Sequence, residues 1–102
     1  MKKSYKELIL FLVSCNSGKI NWYHCEREFM RRGISHGLIN TGKIAMQLEQ
    51  EHDIQFMNNK DNVECYDITD QGKQHIKQLI DQKGIEWFQR SDQDPDDYLP
   101  DD

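Results

Sequence analysis

No apolar run in the 102 residues approaches the roughly 20 needed to cross a bilayer. The longest, Leu8 to Val13, reads as one flank of a helix. Lys6 and Glu7 interrupt any apolar stretch near the start, so no signal peptide and no membrane partner are expected, and the expected location is cytoplasmic. Cysteine is scarce and odd in number. Cys15, Cys25 and Cys65 form no C-x-x-C pair, which argues against a disulfide framework and predicts reduced, mostly buried thiols. No glycine-rich phosphate loop and no internal repeat is present. His24 and Cys25 are neighbours, but adjacent side chains on a helix point apart. With Cys15 and His36 they match no zinc spacing. Neither a metal, a cofactor nor an enzymatic activity is therefore expected.

Excess positive charge is missing too. The formal net charge is −5, with 13 basic and 18 acidic residues. Six of the acids are Asp92, Asp94, Asp96, Asp97, Asp101 and Asp102, in a stretch with no basic residue; residues 1–90 keep 13 basic and 12 acidic side chains. The chain thus divides into one near-neutral domain, 1–90, and an acidic tail, 91–102, interrupted by Pro95 and Pro100 and expected to be disordered. A neutral domain can bind nucleic acid only if its basic residues share a face.

What is present is a clear order of elements. Ser4 to Glu7 is an S-x-x-E capping box ahead of Tyr5, Leu8, Ile9, Leu12 and Val13, which predicts a helix over 5–15. Lys19 and Ile20 form a short extended link. Asn21 can cap a second helix, 22–32, with Trp22, Cys25, Phe29 and Met30 as its apolar positions, and Gly33 stands where a helix C′ glycine belongs. After a short turn, Gly33 to Gly37, a third helix is predicted over 38–51. Its 100° spacing places Thr41, Ile44, Ala45 and Leu48 on one face and Lys43, Met46, Gln47 and Gln50 on the other. Asp53 to Met57 and Val63 to Ile68 predict two strands joined through the turn formers Asn58 to Asn62. Thr69 can cap a last helix, 70–83, striped by Ile76, Leu79 and Ile80 and stopped at Gly84. Ile85, Trp87 and Phe88 close the apolar pattern.

The stretch YDITDQGKQHI, Tyr66 to Ile76, resembles the Y-x-L-T-x-x-G end of the wing in MarR-like and PadR-like winged-helix proteins. Ile68, Thr69 and Gly72 occupy the motif's apolar, capping and glycine positions. The resemblance in element order runs over about residues 4–83. It implies an α+β winged helix-turn-helix: three helices, a two-stranded wing and a C-terminal helix. At the wing tip, where those families often carry arginine, this chain has Lys60 beside Asp61.

That architecture implies a DNA-binding transcription regulator whose third helix enters the major groove of double-stranded DNA. The groove-facing residues would be Lys43, Met46, Gln47 and Gln50, since glutamine can pair with adenine and lysine with guanine or phosphate. Thr41, Lys19, Arg31, Arg32 and Lys60 would contact phosphates. Glu49 and Glu51 oppose this by placing negative charge near the same helix. The alternative is a winged-helix protein-interaction module that does not touch DNA directly. Trp87 and Phe88 either finish the core or, with the last helix, form the edge of a homodimer, which is the favoured expectation. The acidic tail either solubilises the chain or covers a basic face.

Overall fold

The computed structural model describes residues 4–34 and 40–89. The tail 91–102, the turn residues 35–37 and the predicted helical positions 38 and 39 lie outside the described residues. Seven elements follow one another: α1 (Tyr5–Cys15), α2 (Trp22–Arg31), α3 (Thr41–Gln50), β1 (Ile54–Asn58), β2 (Glu64–Ile68), α4 (Asp70–Lys83) and the short α5 (Glu86–Gln89). The fold is α+β, with a two-stranded antiparallel sheet.

Helix α1 is the centre of the core. Leu8 to Val13 are six consecutive buried residues, not one flank. A helix buried through a full turn and a half has no solvent face there, and α3, α4 and β2 all pack on it. The capping box does not form. Ser4 takes the N-cap backbone position without a side-chain bond, and Glu7 reaches across the fold to Lys83 instead. Cys15, at the helix end, is exposed; Cys25 and Cys65 are buried as expected.

Helix α2 starts at the Asn21 cap, whose Oδ1 accepts from the His24 N–H at 3.1 Å. Cys25 and Phe29 face the core, whereas Trp22 and Met30, both expected inside, are 55% and 57% exposed. Arg32 is the C-cap and Gly33 follows with φ 80°, the left-handed turn that glycine permits. Helix α3 has the predicted phase: Thr41, Ile44, Ala45 and Leu48 are buried, while Lys43, Met46 and Gln50 are exposed.

The hairpin pairs Ile54 with Ile68 and Asn58 with Glu64, one residue later at the start of each strand than the pattern predicted. Its turn is organised by Asn59, whose Oδ1 accepts from the N–H groups of Asp61 and Val63. The link after α1 adds a third extended segment. Ile20 bridges Tyr66, donor Tyr66 N to acceptor Ile20 O at 2.8 Å.

Helix α4 is fastened to the α3–β1 junction by its first turn. Thr69 Oγ1 accepts from the Gly72 N–H at 3.0 Å and donates to the His52 carbonyl at 2.5 Å. The Thr69 N–H donates to the Asp53 carbonyl at 3.1 Å. That carbonyl lies so close to Gly72 that a Cβ there would sit 2.0 Å from its oxygen. The motif glycine is thus required by close approach. The Asp53 side chain is buried, with Oδ1 accepting from Gln71 Nε2 at 3.1 Å and Oδ2 lying 2.8 Å from His75 Nδ1.

The chain end corrects another expectation. Phe88 is 2% exposed and stacks on Phe11 with ring centroids 5.0 Å apart and an interplanar angle of 11°. It completes the core of its own chain and is not part of an exposed edge. Trp87 is half-buried against the same core, with Lys83 Nζ 5.2 Å from its ring centroid.

Two substitutions test this packing. Leu48, fully buried on α3, should cost about 2–5 kcal/mol on truncation to Ala. In an open helix Gly→Ala would stabilise by about 1 kcal/mol. Gly72→Ala should instead destabilise by about 1–2 kcal/mol net, because the new methyl meets backbone that cannot rotate away. Denaturant midpoints decide both; a raised midpoint for Gly72→Ala would mean that the close approach is absent.

Candidate nucleic-acid interface

Helix α3 and the hairpin share one open groove of about 640 Å³. Lys43, Met46, Glu49 and Gln50 line it from the helix, and Phe56, Glu64 and Tyr66 from the strands. The helix is anchored at the groove's end by Asn40, whose Oδ1 accepts from the Lys43 N–H at 3.0 Å. Phe56 and Tyr66 are cross-strand partners with ring centroids 5.4 Å apart, and they form the apolar floor. Tyr66 is buried, and desolvation first, then the charges of Cys25, Glu64 and Cys65, push its phenol up to about 12. It stays a neutral hydroxyl. Among the groove-lining residues Lys43 faces two carboxylates, Glu49 and Glu64, so this face is not basic.

Of the residues expected to face a groove, Lys43, Met46 and Gln50 are brought together here. Gln47 is half-buried at the edge of the same helical face. Thr41 does not belong to the site. It is 3% exposed, and its Oγ1 is buried with no hydrogen-bond partner among the described residues, so it cannot reach a phosphate. Lys60 is exposed at the hairpin tip, apart from the groove lining.

Arg32 is the clearest correction. It was expected on a phosphate and is 1% exposed. Its Nε donates to the Phe88 carbonyl at 2.8 Å, and its Nη1 donates to Glu28 Oε1 at 2.8 Å and to the Glu28 carbonyl at 3.0 Å. It is a clamp between α2 and α5. Burial pushes the Glu28 carboxyl up, but hydrogen bonds from Arg31 and Arg32, and then their charges, outweigh it and hold the group below its ordinary value. Arg31 itself is exposed and shares Glu28 through Nη2 at 3.0 Å.

Lys19 and Arg31 meet at a second cleft, between the α1–α2 link and the outer flank of α2, where Arg27 and His24 join them. Arg27 was not among the expected site residues. Its signal is spacing: Tyr23, Arg27 and Arg31 recur every fourth residue on one ridge of α2. Of the His24–Cys25 pair, His24 is exposed and Cys25 is buried. Burial above all, then Glu26 and Glu28, raise the Cys25 thiol to about 12, so no reactive thiolate is available. No group of three potential metal ligands occurs among the described residues, and none of the described helices is long and apolar enough to cross a membrane.

Comparison with known proteins returns no match among protein-family models, curated proteins or solved structures.

The Arg32 clamp gives stability a pH dependence of definite sign. Glu28 is held below its ordinary value of 4.5 in the folded state, so its contribution to stability is full above that pH and is lost as pH falls through the folded value. Glu28→Gln should destabilise the protein at pH 7 and flatten the acid limb of a stability–pH curve below 4.5. Arg32→Met should cost about 1–3 kcal/mol through the stranded Phe88 carbonyl. Thermal melts of both variants from pH 3 to 7 measure this. An unchanged acid limb in Glu28→Gln would refute the assignment.

Proposed function

We propose that the chain is a winged helix-turn-helix domain that binds double-stranded DNA and regulates transcription, with α3 in the major groove and the β1–β2 hairpin as its wing. The observation that carries this reading is the phase of α3. Its apolar face is fully committed to the core, and Lys43, Met46 and Gln50 stand out beside the hairpin, with Gln47 at their edge. An α-helix must present a continuous outward row of this kind to reach base edges. Glutamine supplies the paired donor and acceptor that recognise adenine, and Met46 supplies apolar contact for a thymine methyl. The order helix, helix, helix, hairpin, helix and the close-packed Gly72 fit the wing-end motif from which the architecture was expected.

A second reading, a winged-helix module that binds protein and not DNA, has its own support. Glu49 and Glu64 in the groove repel phosphate, and the groove floor is aromatic. Exposed apolar residues, Trp22 and Met30 among them, add surface of the kind protein partners cover.

Titrations of the full chain with specific and nonspecific duplex at two salt concentrations separate these readings. Gln50→Ala should lose about 1–3 kcal/mol on the preferred site and relax discrimination at one base pair, with little change on nonspecific duplex. Gln47→Ala should do the same to a smaller extent, because Gln47 is half-buried. No duplex affinity even at low salt would remove the DNA reading and leave the protein-binding one.

A further inference from the structure

The reading face and the electrostatic face of this domain are different places. In the α3 groove Lys43 is outnumbered by Glu49 and Glu64. The α2 cleft has the opposite balance: Lys19, Arg27 and Arg31 line it against a single carboxylate, Glu28. That carboxylate is already committed, because Oε1 bonds Arg32, a buried cation that cannot go without its counter-charge. Arg31 shares the same oxygen, and Lys19 and Arg27 have no carboxylate partner among the described residues. Lys6, Lys73 and Lys83 each lie within ion-pair distance of an acid, whereas Lys43, Lys60 and Lys77, like Lys19 and Arg27, have no ion pair among the described residues.

The backbone positions of the cations are set by the fold. Lys19 precedes Ile20, which is locked to Tyr66 by the backbone bridge. Arg27 and Arg31 are one turn apart on α2, and the Arg27 guanidinium carbon lies 6.0 Å from the Tyr23 ring centroid. His24 adds a ring whose N–H can donate. The cleft, about 580 Å³, is open to solvent, and the residues that line it are polar or charged apart from Ile20. Sites that engulf a small ligand are mostly apolar and bury most of its surface. An open trough lined by cations suits a polyanion lying across it.

We propose that this cleft holds the phosphodiester backbone of DNA through Lys19, Arg27 and Arg31, and that it, not the α3 groove, supplies the domain's electrostatic affinity. The proposal rests on the DNA reading above and specifies its phosphate contacts. Helix α2 precedes the reading helix, where such proteins place the element that crosses the backbone.

The test uses the full-length chain, isotope-labelled, titrated with duplex and separately with inorganic pyrophosphate, together with Arg27→Ala and Lys19→Ala. Both side chains are exposed, so the variants keep the core intact. Duplex and pyrophosphate should each shift the amide and side-chain signals of Lys19, Arg27 and Arg31. Each variant should weaken binding to all sequences alike and lower the slope of log affinity against log salt by about 0.9, the share of one phosphate contact. If Gln50→Ala relaxes base discrimination while Arg27→Ala and Lys19→Ala leave the salt slope unchanged, the cleft assignment falls and the α3 reading stands. If pyrophosphate shifts the cleft but duplex binds nowhere, the two fall together and the cleft is a site for free phosphate. If neither probe moves the three cations, the cleft is not an anion site.

Discussion

A helix buried on all sides must be covered on all sides, and the rest of this fold is the cover of α1. Leu8 to Val13 leave no stretch of that circumference to water, so α3, β2 and α4 each take a sector, and Phe88 closes another against Phe11. Each such side chain contributes about 1.5–3 kcal/mol by leaving water. Conformational entropy opposes them at a similar scale, so a domain this small cannot leave any sector open. The last short helix is therefore part of the core despite its four residues.

Apolar cover fixes distances poorly, and two buried charged residues refine it. Asp53 ties the end of α3 and the start of β1 to the first two turns of α4 through Gln71, His75 and its own carbonyl. It thereby fixes the angle between α3 and the hairpin, the two walls of the candidate groove. Arg32 ties the end of α2 to α5. A buried polar or charged group is costly unless its hydrogen bonds are made, so each set of contacts favours one arrangement. The candidate faces are consequently set by polar contacts beneath them.

Much of this was legible in the chain. Helices over 5–15 and 70–83, the caps at Asn21 and Thr69 and the inner face of α3 follow from periodicity and turn chemistry, and the structure has them. What failed had physical reasons. A periodic reading assigns one face to a helix, so it cannot announce a helix wrapped on every side. Ser4 and Glu7 spell a capping box, but Lys83, distant in sequence, is the stronger partner for Glu7. Arg32 is instructive because its signal was present. It lies seven residues after Cys25 and three after Phe29, on the buried ridge of α2, while Arg31 and Arg27 lie on the exposed one. Its charge suggested surface; its spacing said otherwise. Gly72 was readable as a motif position, but only the geometry shows that the Asp53 carbonyl occupies the place of its side chain.

The bond from Arg32 to the Phe88 carbonyl also fixes the end of α5 beside the end of α2. Covalent geometry then limits the reach of residues 90–102. At ~3.5 Å per residue they extend no farther than about 45 Å from that point, whatever path they take. The folded part is 36 Å along its longest axis. Six aspartate carboxylates therefore stay within about 45 Å of the end of α5, however dilute the protein. Their local concentration is on the order of 10 mM, set by the tether and not by the amount of protein in solution. Dilution leaves that tethered charge unchanged; added salt screens it within about 10 Å at 0.1 M.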